Sequence, residues 1–223
     1  MASRFLFVLR SAVALALVAG CGSAPVQKPA ELTDIRPTAS LKILWQGSVG
    51  PAGKNTYFPQ VSGGIAYAVA AEGTGTGFDA SSGGPAVKIE AGEPVSGGVG
   101  AGPGLVLLGT PKGEVLAFDR EGKALWRTQL SGEVLARPEI EGGIVVARTG
   151  DGRIHGLDVA TGKSRWMYQR ATPALSVRTH AGVVVHRGAV FAGFPGGRLV
   201  ALALPNGKIG WEAVVALPRG TTE

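Results

Sequence analysis

The chain is poor in the residues that most often carry chemistry. It has a single cysteine among 223 residues, which excludes an internal disulfide and a cysteine-built metal site. Its three histidines, His155, His180 and His186, have no metal-ligand spacing and read as strand or turn residues. Asn55 and Asn206 are its only asparagines, and Asn206 falls in a turn. Charged residues make up only 17 % of the chain. The basic ones are spread out, without the stripe and interleaved aromatics of a nucleic-acid surface, so no nucleic-acid partner is expected. No Gly-x-Ser-x-Gly or phosphate-loop pattern occurs. The glycine run at 73–77 lacks the dinucleotide spacing and a following helix, so it reads as a loose turn. No long 3.6-residue period appears beyond the N-terminus. These gaps leave no catalytic constellation and no metal site to nominate.

Glycine, by contrast, is abundant at 36 residues and punctuates short apolar runs rich in Val, Leu and Ala. That composition suits many short strands joined by tight turns, an all-β class.

The N-terminus stands apart. Met1–Arg10 carries Arg4 and Arg10, Ser11–Gly20 is apolar and alanine-rich, and small residues precede Cys21. A basic start, a short apolar core and a small-residue cut form a signal peptide over 1–20. The apolar run is too short for a comfortable membrane span. The segment resembles a bacterial lipobox, which implies that Cys21 becomes the lipidated N-terminus. Each buried methylene of an acyl chain adds about 0.8 kcal/mol of membrane affinity, so several chains anchor durably. Gly22 follows Cys21, where an aspartate would resemble an inner-membrane retention signal. The resemblance therefore implies the outer membrane, periplasmic face. The span 21–40, with Pro25, Pro29 and Pro37, reads as a lipidated tether.

The body, 41–223, is organised by a repeat. Gly122 precedes Trp126, Gly162 precedes Trp166, and Gly207 precedes Trp211, each by four residues. A small residue, Ala117, Gly156 or Ala201, lies shortly before each glycine. Three copies at intervals of about forty residues signal stacked four-stranded units. An even offset along a strand would put glycine and tryptophan on one face. Each ring can then bury against the neighbouring unit, with the small residue leaving room.

Four units are expected. Phe58–Val61, Ile65–Ala70, Gly75–Asp79 and Pro85–Glu90 make the first, which has no tryptophan after Gly83-Gly84. Val95–Gly100, Leu105–Gly109, Glu114–Phe118 and Ala124–Leu130 make the second. Arg137–Ile140, Ile144–Thr149, Arg153–Val159 and Ser164–Gln169 make the third. Gly182–Val185, Ala189–Phe194, Arg198–Leu204 and Ile209–Val215 make the fourth. Leu41–Val49 reads as a single strand ahead of them, with Trp45 as a packing residue. Asp119 and Asp158 fall in turns, where an aspartate caps its own backbone. Four-stranded antiparallel units at this period are blades of a β-propeller. A propeller must close, and no closing strand follows, so the expectation is about four blades of a larger ring, a truncated chain.

Gly156–Trp166 resembles the quinoprotein-type propeller repeat Ala-x-Asp-x-x-Thr-Gly-x-x-x-Trp in all but its first position. Ala117–Trp126 has one residue fewer in the turn, and Ala201–Trp211 has Ala203 in place of Asp. With the lipobox in front, the chain resembles the BamB family, lipoproteins of the outer-membrane β-barrel assembly (BAM) machinery. That resemblance implies an eight-bladed ring, and a scaffold for folding and inserting outer-membrane proteins. It implies partners too: the POTRA domains of BamA, other BAM subunits, and unfolded outer-membrane proteins.

In that family the segment like Leu175, Ser176, Val177 and Arg178 docks on a POTRA domain. The residues themselves allow two readings. An apolar pair with an arginine on the longest connection, Gln169–Thr179, has hot-spot character. Alternatively, Leu175 and Val177 begin an inner strand and Arg178 is solvated. Quinone-dependent alcohol dehydrogenases share the repeat, but they bring a vicinal cysteine pair and a calcium site of Glu, Asn and Asp, which this sequence lacks. The expectation is a non-catalytic subunit without a cofactor. The alternative is a lipid-anchored propeller binding quinone or another small ligand.

Overall fold

The computed structural model describes residues 29–33, 38–171 and 181–216. Residues 43–223 form one compact unit, and residues 1–42 are assigned to a second. The described residues of the latter carry no helix or strand. Cys21 and the signal segment lie outside the described residues.

Sixteen strands form four separate four-stranded antiparallel sheets, each with its strands in chain order. The first sheet is β1 (Gln60–Ser62), β2 (Ile65–Val69), β3 (Thr74–Asp79) and β4 (Pro85–Glu90). The second is β5 (Gly97–Gly102), β6 (Leu105–Gly109), β7 (Glu114–Phe118) and β8 (Ala124–Gln129). The third is β9 (Glu139–Glu141), β10 (Ile144–Arg148), β11 (Ile154–Asp158) and β12 (Ser164–Tyr168). The fourth is β13 (Val184–His186), β14 (Ala189–Phe194), β15 (Arg198–Ala203) and β16 (Ile209–Val214). These are the expected blades of an all-β propeller. In every blade the last two strands slip register after the small residue, at Gly77/Phe78, Ala117/Phe118, Gly156/Leu157 and Ala201/Leu202. One bulge at one place in four units is the mark of a repeated design.

The core lies between blades, not within them. Val69 and Ile89 of the first blade pack with Val106 and Leu116 of the second. Leu107 and Val115 of the second pack with Val145 and Leu157 of the third. Ile154 and Trp166 of the third pack with Val190 and Leu202 of the fourth. Burial reports which blades have two neighbours. Every residue of β6 and β10 is buried, whereas β2 and β14 alternate between buried and more exposed positions. Strands covered on both faces lose the period-2 pattern.

The tryptophans clasp neighbouring blades. The Trp126 indole donates to the carbonyl of Val159 at 3.0 Å and covers Gly162 of the next turn. The Trp166 indole donates to Leu204 at 2.7 Å and covers Gly207. A Cβ at either glycine would stand 2.5 Å from the ring, and both have positive φ. Each glycine is thus doubly required. Within its own blade, Trp166 lies over Gly156, where a Cβ would fall inside the ring.

Three expectations are corrected. First, glycine and tryptophan of one unit do not share a face. Gly162 partners Trp126 of the preceding blade, because it lies in a turn where strand alternation does not apply. Gly122 is the variant, since it meets the Lys88 carbonyl and Val87. Second, 41–49 is not a strand. Leu41, Ile43 and Leu44 are exposed, having no ladder partner among the described residues. Yet Trp45 fills the repeat slot before the first blade. It covers Gly83 and donates to the Ala80 carbonyl at 2.9 Å, just as Trp126 and Trp166 do three residues before their glycines. All four tryptophans therefore belong to the repeat.

Third, the inner strands begin about two residues later than expected. Val95, Val134, Leu135, Ala136 and Val183 are buried residues ahead of these strands. Val95 donates to Ala71 at 3.0 Å and Val134 to Thr110 at 3.1 Å. The apolarity of Val95 and Val183 reads as strand but serves the seam between blades.

Candidate docking surface

The connection between β12 and β13 carries Leu175, Ser176, Val177 and Arg178, which lie outside the described residues, as does His180. Its two ends are described. Arg170, just after β12, donates to both carboxylate oxygens of Glu212 on β16, at 2.8 and 3.1 Å. Arg198, at the start of β15, donates to the same carboxylate at 2.5 Å. This fork ties the exit of the third blade to the fourth. The hydrogen bonds from Arg170 and then Arg198 hold the Glu212 carboxyl below its ordinary pKa. The Glu212 bond in turn raises that of Arg170. Above the fork, Tyr168 meets Phe194 edge-on at 5.9 Å between centroids. At the return end, Gly182, Val183 and Val184 line an apolar cleft of about 430 Å³ with Phe58, Phe191 and Leu199. Its charged wall residues are taken up: Arg137 pairs with Glu139 at 2.8 Å and donates to Gln60 at 2.7 Å.

The other polar residues of interest are occupied by the fold. Asp158 accepts from the backbone N–H groups of Ala160 and Thr161 and pairs with Arg165. Hydrogen bonds from Arg165 and Thr161 hold its carboxyl at about 2. Asp119 accepts from the N–H groups of Glu121 and Lys123. Asp79, which the sequence reading passed over, caps the first blade through Ser81 and Ser82 and is likewise held at about 2. In the fourth blade Asn206 does this work, accepting from Lys208 N–H at 3.0 Å. These acids stabilise turns.

Ser131 Oγ stands 3.3 Å from His155 Nε2, the one serine–histidine contact among the described residues. His155 is buried in β11, and burial lowers its pKa, so it stays neutral. The nearby Asp151 accepts from Thr149 Oγ1 and pairs with Arg153 at 2.6 Å. Among the described residues no hydrogen bond joins it to the imidazole, so the serine–histidine–carboxylate order of a relay is not formed. Among the described residues no three His, Cys, Asp or Glu side chains converge as a metal would require.

The repeat residues fall where the clasp needs them, with one contrast. Trp166 is 8 % exposed, while Trp211 is 47 % exposed and its indole finds no acceptor among the described residues. Ile209, Val214 and Val215 beside it are exposed as well. Trp45 is the functional member of the repeat that the sequence reading missed. Its signal was spacing: it stands about forty residues ahead of Val87, which pairs with Gly77 as Trp166 pairs with Gly156.

Comparison with known proteins agrees with this architecture. The curated outer membrane protein assembly factor BamB of Nitrosomonas eutropha is 45 % identical over 194 residues, covering 87 % of this chain and 47 % of the relative. The crystal structure of BamB from Moraxella catarrhalis superposes with a TM-score of 0.70 at 28 % identity, over 80 % of this chain and 54 % of that one. A quinohemoprotein alcohol dehydrogenase from Pseudomonas putida HK5 shares the fold alone, with a TM-score of 0.60 at 15 % identity over 74 % of this chain and 34 % of that one. The chain spans about half the length of the curated relatives it matches. A family model described as outer membrane protein assembly factor BamB matches residues 86–223. By that match, which takes in the blades from β4 onwards, the chain belongs to the BamB family of outer membrane protein assembly factors.

Proposed function

We propose that this chain is a non-catalytic subunit of the outer-membrane β-barrel assembly complex. It is anchored by lipid on Cys21 at the periplasmic face of the outer membrane. It binds the POTRA domains of BamA through Leu175, Ser176, Val177 and Arg178, beside other BAM subunits, and serves the folding and insertion of outer-membrane proteins. The observation that carries this reading is the match of residues 86–223 to the assembly-factor family, supported by 45 % identity to a curated member. The geometry is consistent with it. Among the described residues the turn acids and the charged groups near the cleft are committed to structure, and no convergent polar set stands there to orient a quinone. A rigid stack of blades suits a scaffold that presents connections to partners.

The test is a pull-down of the full chain in detergent against the periplasmic POTRA domains of BamA, beside Arg178→Glu. Binding by the wild type that is lost in the variant supports both the partner and the segment. Binding that survives Arg178→Glu moves the docking site elsewhere. Absence of binding together with a stoichiometric bound chromophore would replace the scaffold by the ligand-binding reading.

A further inference from the structure

The innermost hairpin of each blade turns on two residues. These are Gly63-Gly64 between β1 and β2, Pro103-Gly104 between β5 and β6, Gly142-Gly143 between β9 and β10, and Arg187-Gly188 between β13 and β14. Three of the turns hold both residues at positive φ: 58° and 79° in the first blade, 56° and 77° in the third, 50° and 76° in the fourth. That conformation suits a two-residue hairpin, and glycine adopts it without steric penalty. The fourth blade instead places an arginine there, the one non-glycine residue at positive φ among the described residues. Its Cβ crowds the following carbonyl oxygen, a cost that Gly63 and Gly142 avoid at the same position. Strain kept at an exposed turn points to a use for the side chain.

The tips are joined into a firm rim. Ser62 Oγ donates to the Gly102 carbonyl at 3.3 Å, Gly102 packs against Ile140 of the third blade, and Gly188 N–H donates to Glu141 Oε1 at 2.6 Å. Gly64, Gly104, Gly143 and Gly188 all face open space, so a partner can approach the backbone of every tip. His186 and Arg187 are exposed, and Arg187 pairs with no carboxylate among the described residues. The acid beside it, Glu141, is engaged by the Gly188 backbone. At the first blade's tip the Arg120 guanidinium lies against Gly63, where a Cβ would stand 2.9 Å from Nη2. Arg120 is exposed and also lacks an ion pair among the described residues. Two free guanidinium groups on a rigid rim match the carboxylates of a protein surface. A membrane surface is instead read by clusters of about four to eight basic residues.

We propose that this rim docks an acidic segment of a protein partner, with Arg187 as its anchor. The rim is independent of the POTRA reading above, whose connection enters the opposite end of β13.

The test titrates the full chain in detergent, at low ionic strength, into a fluorescein-labelled hexaglutamate peptide and reads anisotropy. Arg187→Gly should weaken binding about tenfold. Its unfolding midpoint should stay level or rise by a few degrees, because glycine relieves the turn. Arg187→Asn, which also accepts positive φ, should repeat the loss of binding. Lys112→Gln removes one charge at the opposite end of β6 from the Gly104 tip and should bind as the wild type does. No binding by the wild type overturns the proposal. So do equal binding by wild type and Arg187→Gly, an equal loss in Lys112→Gln, and a midpoint lowered by Arg187→Gly. Displacement of the peptide by an equal concentration of glycerophosphoglycerol, the headgroup of an anionic lipid, would replace the protein partner by a membrane surface.

Discussion

Replacing Trp166 by alanine separates a clasped tryptophan from an unclasped one when it is set against Trp211→Ala. Trp166 is 8 % exposed, and its indole donates to Leu204 at 2.7 Å. An indole side chain carries roughly 200 Å² of surface, and at about 25 cal/mol per Å² its near-complete burial contributes about 4 kcal/mol once compactness of the unfolded chain is allowed for. Removing it also strands the Leu204 carbonyl, which adds about 1 kcal/mol. Trp211 is 47 % exposed with no acceptor among the described residues. Its truncation should cost half the transfer contribution, about 2 kcal/mol. In a chain of this size each kcal/mol moves the unfolding midpoint by about 3 °C. The expected drops are about 15 °C for Trp166→Ala and about 6 °C for Trp211→Ala, read by calorimetry or by near-ultraviolet circular dichroism on heating. Trp45→Ala should fall between them, because the Trp45 indole donates to Ala80 but is only partly buried. Equal losses at 166 and 211 would refute the idea that the inter-blade clasp, and not the ring inside its own blade, is the stabilising contact.

Gly156→Ala should cost about 1–3 kcal/mol by driving the Trp166 ring outward, seen as a red shift of its fluorescence. The equivalent slots already hold Ala117 and Ala201, under Trp126 and Trp211, which sit less deeply. Asp158 has a folded pKa of about 2 against an ordinary 3.8, so the unfolded state binds more protons between these values. Its contribution is complete above about pH 4 and is lost as pH falls towards 2. Asp158→Asn should flatten that part of the wild type's midpoint-against-pH curve, and Asp79→Asn should do the same for the first blade. Cys21→Ser should release the chain from the membrane fraction into the soluble periplasm. Retention of the variant in the membrane would sink the lipid-anchor reading.

What the sequence made legible is local, and what it hid is contact between units. The turns at Gly122, Gly162 and Gly207, the capping aspartates and the middle strands of each blade are set by a few adjacent residues, and they stand where spacing predicts. The lead-ins at Val95 and Val183 read as strand because apolarity alone cannot tell a ladder from a seam. Trp45 reads only as a packing residue because its glycine, Gly83, comes after it and belongs to another blade. The same blindness separated Arg148 from Phe194, whose stack joins two blades. These misses share one cause: a repeat protein is held by nearest-neighbour interfaces, which no single unit's sequence displays.

That cause also bounds what the blades say about function. The sheets superpose on a quinohemoprotein alcohol dehydrogenase at 15 % identity, a likeness of fold alone, so the architecture by itself names no activity. The clasping tryptophans, the bulges and the capped turns serve any protein built this way. Function must then be sought where the units stop being alike. Three such departures stand out here: the connection from β12 to β13, longer than the other two between blades; the Glu212 fork that ties its exit to the fourth blade; and the buried Arg148, whose counterpart at the end of β6 is Gly109. All three lie at the junction of the third and fourth blades. Arg178→Glu probes the connection and Glu212→Gln the fork. If POTRA binding responds to the first change and the unfolding midpoint to the second, that junction separates docking from the hold between blades.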